Sequence, residues 1–85
     1  MDRISAQVSL YPLRQASIGP AIRSAVSVFQ NSGLEIRTGA MSTLIWGEEQ
    51  AVFSALQQAF HESTAIGDTV MIVTFSNACP SPEES

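Results

Sequence analysis

Residues 4–11 read Ile-Ser-Ala-Gln-Val-Ser-Leu-Tyr. Ile4, Ala6, Val8 and Leu10 alternate with Ser5, Gln7, Ser9 and Tyr11, the two-residue period of a strand with one buried face. Pro12 ends the run, because it offers no ladder donor. The period then changes. Ser17 can cap a helix, Pro20 is tolerated in its first turn, and Ile22, Ala25, Val26 and Phe29 form one apolar stripe. These features predict a helix near 18–32. Asn31-Ser32-Gly33 stops it, with Gly33 able to turn left-handed.

The pattern repeats downstream. Leu34, Ile36 and Thr38 alternate with Glu35 and Arg37 as a second strand. Gly39-Ala40 reads as a turn or bulge, and Met41 to Trp46 as a third strand followed by Gly47. Glu48 and Glu49 suit the positive end of a second helix, expected near 48–65. Its stripe is Val52, Ala55, Leu56, Ala59 and Phe60, with Gln50, Ser54, Gln57 and His61 on the polar side. Gly67-Asp68 makes a turn into a last strand, Thr69 to Ser76. The chain end is rich in Pro, Ser and Glu. One domain over 1–78 with a disordered tail over 79–85 is expected. The order βαββαβ predicts an α+β, ferredoxin-like sandwich: a four-stranded antiparallel sheet with two helices on one face.

Such a sheet leaves its other face open. Yet Val70-Met71-Ile72-Val73 and Leu44-Ile45-Trp46 are apolar on both sides, as in strands covered on both faces. A second copy of the chain or a ligand is the expected cover.

The composition narrows the partners. The 85 residues are 45% hydrophobic but only 14% charged, a bare surface for so small a chain. The net charge is −4, and the basic residues are the scattered Arg3, Arg14, Arg23 and Arg37. No basic patch exists to displace phosphate counterions or hold an anionic membrane, so neither nucleic acid nor membrane is an expected partner. One cysteine, Cys79, allows no internal disulfide and fits a cytoplasmic setting. No signal peptide or membrane-span pattern is read.

Candidate chemistry is sparse. His61 stands alone on a polar helix face and reads as a solvated histidine. Cys79 has no local base or positive charge to activate it, and the Cys-x-x-Cys loop of metal chaperones of this fold is missing. Glu48 and Glu49 have a structural reason at a helix start. No glycine spacing matches a nucleotide loop, so no cofactor is expected. The row Ser5, Gln7, Ser9 and Tyr11 is more informative. Beside apolar strands it describes a small-molecule pocket on the open face, where Tyr11 and Trp46 could stack on a flat ring or a cation. Trp46 is equally an anchor for an interface between copies.

Two stretches carry a resemblance. Residues 4–13, Ile-Ser-Ala-Gln-Val-Ser-Leu-Tyr-Pro-Leu, are similar to the opening strand of the YkoF-like thiamine/hydroxymethylpyrimidine-binding proteins. Residues 32–47, Ser-Gly-Leu-Glu-Ile-Arg-Thr-Gly-Ala-Met-Ser-Thr-Leu-Ile-Trp-Gly, resemble their central hairpin. The resemblance implies a ferredoxin-like fold, assembly into a homo-dimer or homo-tetramer, and a thiamine-like ligand bound without catalysis. The positions it carries over are Ser9, Tyr11, Met41, Ser42 and Thr43. Trp46 departs from it, standing where a more polar residue is expected.

Three readings compete. The first is a non-enzymatic binder of thiamine or its hydroxymethylpyrimidine portion, at the open face or the interface covering it. The second is a structural or regulatory homo-oligomer of the ACT type without thiamine. The third, an acylphosphatase-like hydrolase, needs a phosphate cradle that Tyr11-Pro12-Leu13-Arg14-Gln15 lacks.

Overall fold

The alternating stretch forms β1, Arg3–Pro12, the inner strand around which the rest is laid. The remaining elements of the computed structural model follow in chain order: α1 (Gly19–Asn31), β2 (Glu35–Thr38), β3 (Thr43–Glu48), α2 (Glu49–Ile66) and β4 (Thr69–Ser76). The structure describes residues 3–13, 19–39 and 42–78. The expectations for Arg14, Ser17, Ala40, Met41, Cys79 and the tail 79–85 lie outside the described residues. The strands run β2-β3-β1-β4, all neighbours antiparallel. Both helices lie on one face, giving the ferredoxin-like α+β arrangement. Among the described residues no helix is long and apolar enough to cross a membrane.

The register divides the side chains between two faces. Ala6 pairs with Ile45 and Phe75, and Val8 with Thr43 and Val73, so these residues point toward the helices. Ser5 pairs with Trp46 and Ser76, Gln7 with Leu44 and Thr74, Ser9 with Ile72, and Tyr11 with Val70, so these lie on the open face. Ile4, Ala6, Val8 and Ile45 meet Ala25, Val28 and Phe29 of α1 and Val52, Ala55, Leu56 and Ala59 of α2 in one core.

The helix stripes differ from their expected positions. On α1 the buried residues are Ala21, Ala25, Val28 and Phe29, while Ile22 is exposed and Val26 half-buried. The helix is rotated toward α2, on which it packs far more extensively than on the sheet. Ser24 Oγ bridges the two helices by donating to Glu62 Oε1 at 3.3 Å. On α2 the expected Phe60 is 42% exposed, and Ser63 takes the core place at the end of the stripe. Burying that hydroxyl is tolerable because Ser63 Oγ donates to the Ala59 carbonyl at 2.8 Å.

The third strand begins and ends later than expected. It includes Gly47, which pairs with Ile4, and Glu48, which pairs with Arg3 and caps α2 in an extended conformation. A Cβ at Gly47 would collide with the Leu34 side chain, so glycine keeps the strand flat beneath Leu34. Gly33 has φ 75°, the left-handed stop read from the sequence.

Candidate functional site

α1 leans on α2, and one end of the sheet is left incompletely covered. There a cavity of about 290 Å³ opens between α1, the last residues of β1 and the tip of the β2–β3 hairpin. Leu10, Ile22, Val26 and Phe29 form its apolar wall. Thr38, Ser42, Thr43 and Tyr11 also line it; Thr38 and Thr43 are a cross-strand pair on the helix face, whereas Tyr11 stands in the open-face register at its rim. The hairpin tip is held by Gly39 N–H, which donates to the Ser42 carbonyl at 2.8 Å. Gln7 Nε2 donates to Ser42 Oγ at 3.3 Å. At the end of β1, Leu13 N–H donates to the Asp68 carbonyl at 2.8 Å.

Among the described residues none of those lining this cavity is Asp, Glu, Lys, Arg, His or Cys. Such a site offers shape, apolar contact and hydroxyls, each able to donate or to accept. It suits a flat, uncharged ring carrying both donor and acceptor atoms.

The expected site residues are not gathered in one place. Tyr11, Ser42 and Thr43 reach the cavity. Ser9 pairs with Ile72 on the open face, whereas Thr43 pairs with Val8 and faces the helices. Ser9 and Thr43 therefore cannot hold one small ligand together on the open face. Trp46 is opposite Ser5, six positions along β1 from Tyr11. At about 3.3 Å per residue that is roughly 20 Å, too far for both rings to clasp one ligand. Trp46 is also only 8% exposed despite its open-face position. Met41 lies outside the described residues.

Thr38, Ile22 and Val26 were missed as lining residues. The signal was present in α1, where Ala21, Ile22, Ala25, Val26, Val28 and Phe29 are apolar. That arc is wider than one packing face requires.

Elsewhere, the outer surface of α2 carries a shallow depression lined by residues of that helix alone, Gln57 and His61 among them. A third hollow lies by Phe53 and Phe75 at the free side of β4. Among the described residues no three His, Cys, Asp or Glu side chains gather as metal ligands.

The profile described as the YKOF-related family matches residues 3–82. The UPF0045 protein MJ1052 of Methanocaldococcus jannaschii is 31% identical over 75 residues, spanning 87% of this chain and 73% of that protein. The crystal structure of MJ1052 superposes with a TM-score of 0.82 at 27% identity, covering 89% of this chain and 80% of the other. TM0486 of Thermotoga maritima, provisionally assigned to thiamine biosynthesis or salvage, gives a TM-score of 0.82 at 13% identity over 96% of this chain and 92% of its own. A domain of unknown function, DUF77, from Bacillus cereus gives 0.78 at 19% identity over 88% and 75%. At those last two identities the likeness is one of fold.

Proposed function

The chain belongs to the YKOF-related family, and on that premise we propose that it is a non-catalytic binder of a thiamine-like heteroaromatic, thiamine or its hydroxymethylpyrimidine portion. The observation that carries this reading is the cavity under α1: apolar walls, four hydroxyl-bearing residues and, among the described residues, no charged side chain in the lining. A pyrimidine ring with an amino substituent offers donors, acceptors and two flat faces. Leu10 and Phe29 would meet the faces, and Thr38 and Thr43 the edge. The cationic ring of thiamine would stay at the mouth, where a protein of net charge −4 favours it. Binding without chemistry is part of the proposal, and a turnover assay with either ligand tests it. The fold likeness to TM0486 adds the choice of ligand.

The same reading places the protein in the cytosol as a homo-dimer or homo-tetramer. Its support is the open sheet face, where Val70 is 42% and Ile72 55% exposed. Light scattering that returned only a 9.1 kDa species would defeat the assembly.

Calorimetry and thermal shift with thiamine and with hydroxymethylpyrimidine test the ligand. Binding to the native state alone raises the melting midpoint. No heat and no shift at millimolar ligand, with folded protein confirmed, would reject the proposal in favour of a structural oligomer.

A further inference from the structure

Trp46 is buried on a face that leaves its other large apolar residues, Val70 and Ile72, exposed. Its neighbours on that face are small or charged. Ser5 and Glu35 stand directly opposite it on the two flanking strands. Glu48 is two residues further along β3 and opposite Arg3. Arg3 Nη2 donates to Glu35 Oε1 at 3.5 Å. Arg3 belongs to β1 and Glu35 to β2, and β3 lies between them. Two strand spacings are roughly 9.5 Å, so this pair can close only by running across β3. The register sets the crossing on the stretch from Glu48 to Trp46. The ion pair is thus a strap over the tryptophan.

The strap is a weak one, since its side chains are 63% and 39% exposed and pairs of that kind contribute little. Its chemistry shows what the position accepts. A guanidinium is planar, always charged, and presents its N–H donors as a fork. Trp46 is the aromatic residue that attracts a cation most strongly, and Glu35 and Glu48 flank it with acceptors. Arg37, two residues beyond Glu35 on β2, stands opposite Leu44 and not Trp46. We propose that Trp46, Glu35 and Glu48 form a site for a guanidinium group, which Arg3 fills in the free chain and yields when an external guanidinium takes its place. The site lies at the far end of β1 from the cavity, so it depends on neither the cavity nor its ligand. A cation without N–H donors would leave the carboxylates unsatisfied and does not open the strap.

Trp46 is the single tryptophan, so its emission reads the site. In Arg3→Ala it is expected to become more open to acrylamide quenching, with circular dichroism and light-scattering mass unchanged. Methylguanidinium should restore the protection saturably, binding about two- to fivefold more tightly than to the natural chain, where Arg3 competes. Potassium chloride and tetramethylammonium chloride at the same ionic strength should not restore it. Adding Glu35→Gln to Arg3→Ala should abolish the restoration. Free arginine and an arginine-containing tripeptide, titrated in parallel, separate a small ligand from an arginine presented by a partner chain. Unchanged quenching of Trp46 in Arg3→Ala overturns the strap, and quenching that rises only with a fall in mass replaces it with an interface at Trp46. Protection restored equally by potassium chloride or tetramethylammonium overturns the guanidinium site.

Discussion

Leu34 lies across Gly47, and its side chain occupies the space that a Cβ on Gly47 would need. Val52 borders the same space at 3.9 Å, so the contact ties the start of β2 and the end of β3 to α2. Gly47→Ala is therefore expected to make the Leu34 Cδ2 methyl swing aside, at the low end of the overpacking cost, about 1 kcal/mol. Urea unfolding measures it, with the midpoint moving and the slope unchanged. Adding Leu34→Ala should cost less than the sum of the two single changes, since the pair is in contact.

Thr43 lines the cavity, and Ser9 lies on the opposite side of the sheet. Thr43→Val is expected to weaken thiamine or hydroxymethylpyrimidine binding by about 0.5–1.5 kcal/mol, roughly three- to tenfold. Ser9→Ala should leave the affinity unchanged. Calorimetry on the two variants separates the faces, and the reverse ranking would move the site to the open one.

Val26 lines the cavity and is not part of the buried core. Val26→Phe should fill the space and abolish binding while the far-ultraviolet spectrum persists. A variant that still binds at full affinity would show that the ligand sits elsewhere.

Trp46, the single tryptophan, pairs with Ser5 and Glu35, at the far end of β1 from the cavity. Its emission should stay constant on ligand titration and change on dissociation of copies packed through the open face. A ligand-dependent emission change at constant oligomeric state would contradict the cavity assignment.

The fold was legible in the sequence because period-two and 3.6-residue runs are local signals. Ile4 to Tyr11 and Val52 to Ala59 place their buried faces by spacing alone. The site was legible only in part. Tyr11, Ser42 and Thr43 reach the cavity, but spacing could not reveal that Thr43 faces Val8 while Ser9 faces the other way. The hairpin register decides that, and the third strand starts two residues later than its apolar run. The turn of α1 toward α2 was hidden for a related reason. An apolar arc from Ala21 to Phe29 permits several rotations, and only the neighbouring helix selects one. Phe60 leaves its expected place in the stripe, and Ser63 can be buried because its hydroxyl is satisfied on the preceding helical turn.

α1 packs closely on its sister helix, and the room beneath it borders the main core through Val8, Ala25 and Phe29. An occupant can enter by displacing solvent, without evicting Val8, Ile45 or Val52. Binding to the native state alone raises global stability, so amides of α2 and β1 that exchange only through global unfolding should slow by the full factor. Those of α1 and the hairpin tip should slow as much only where the opening that exposes them also releases the ligand.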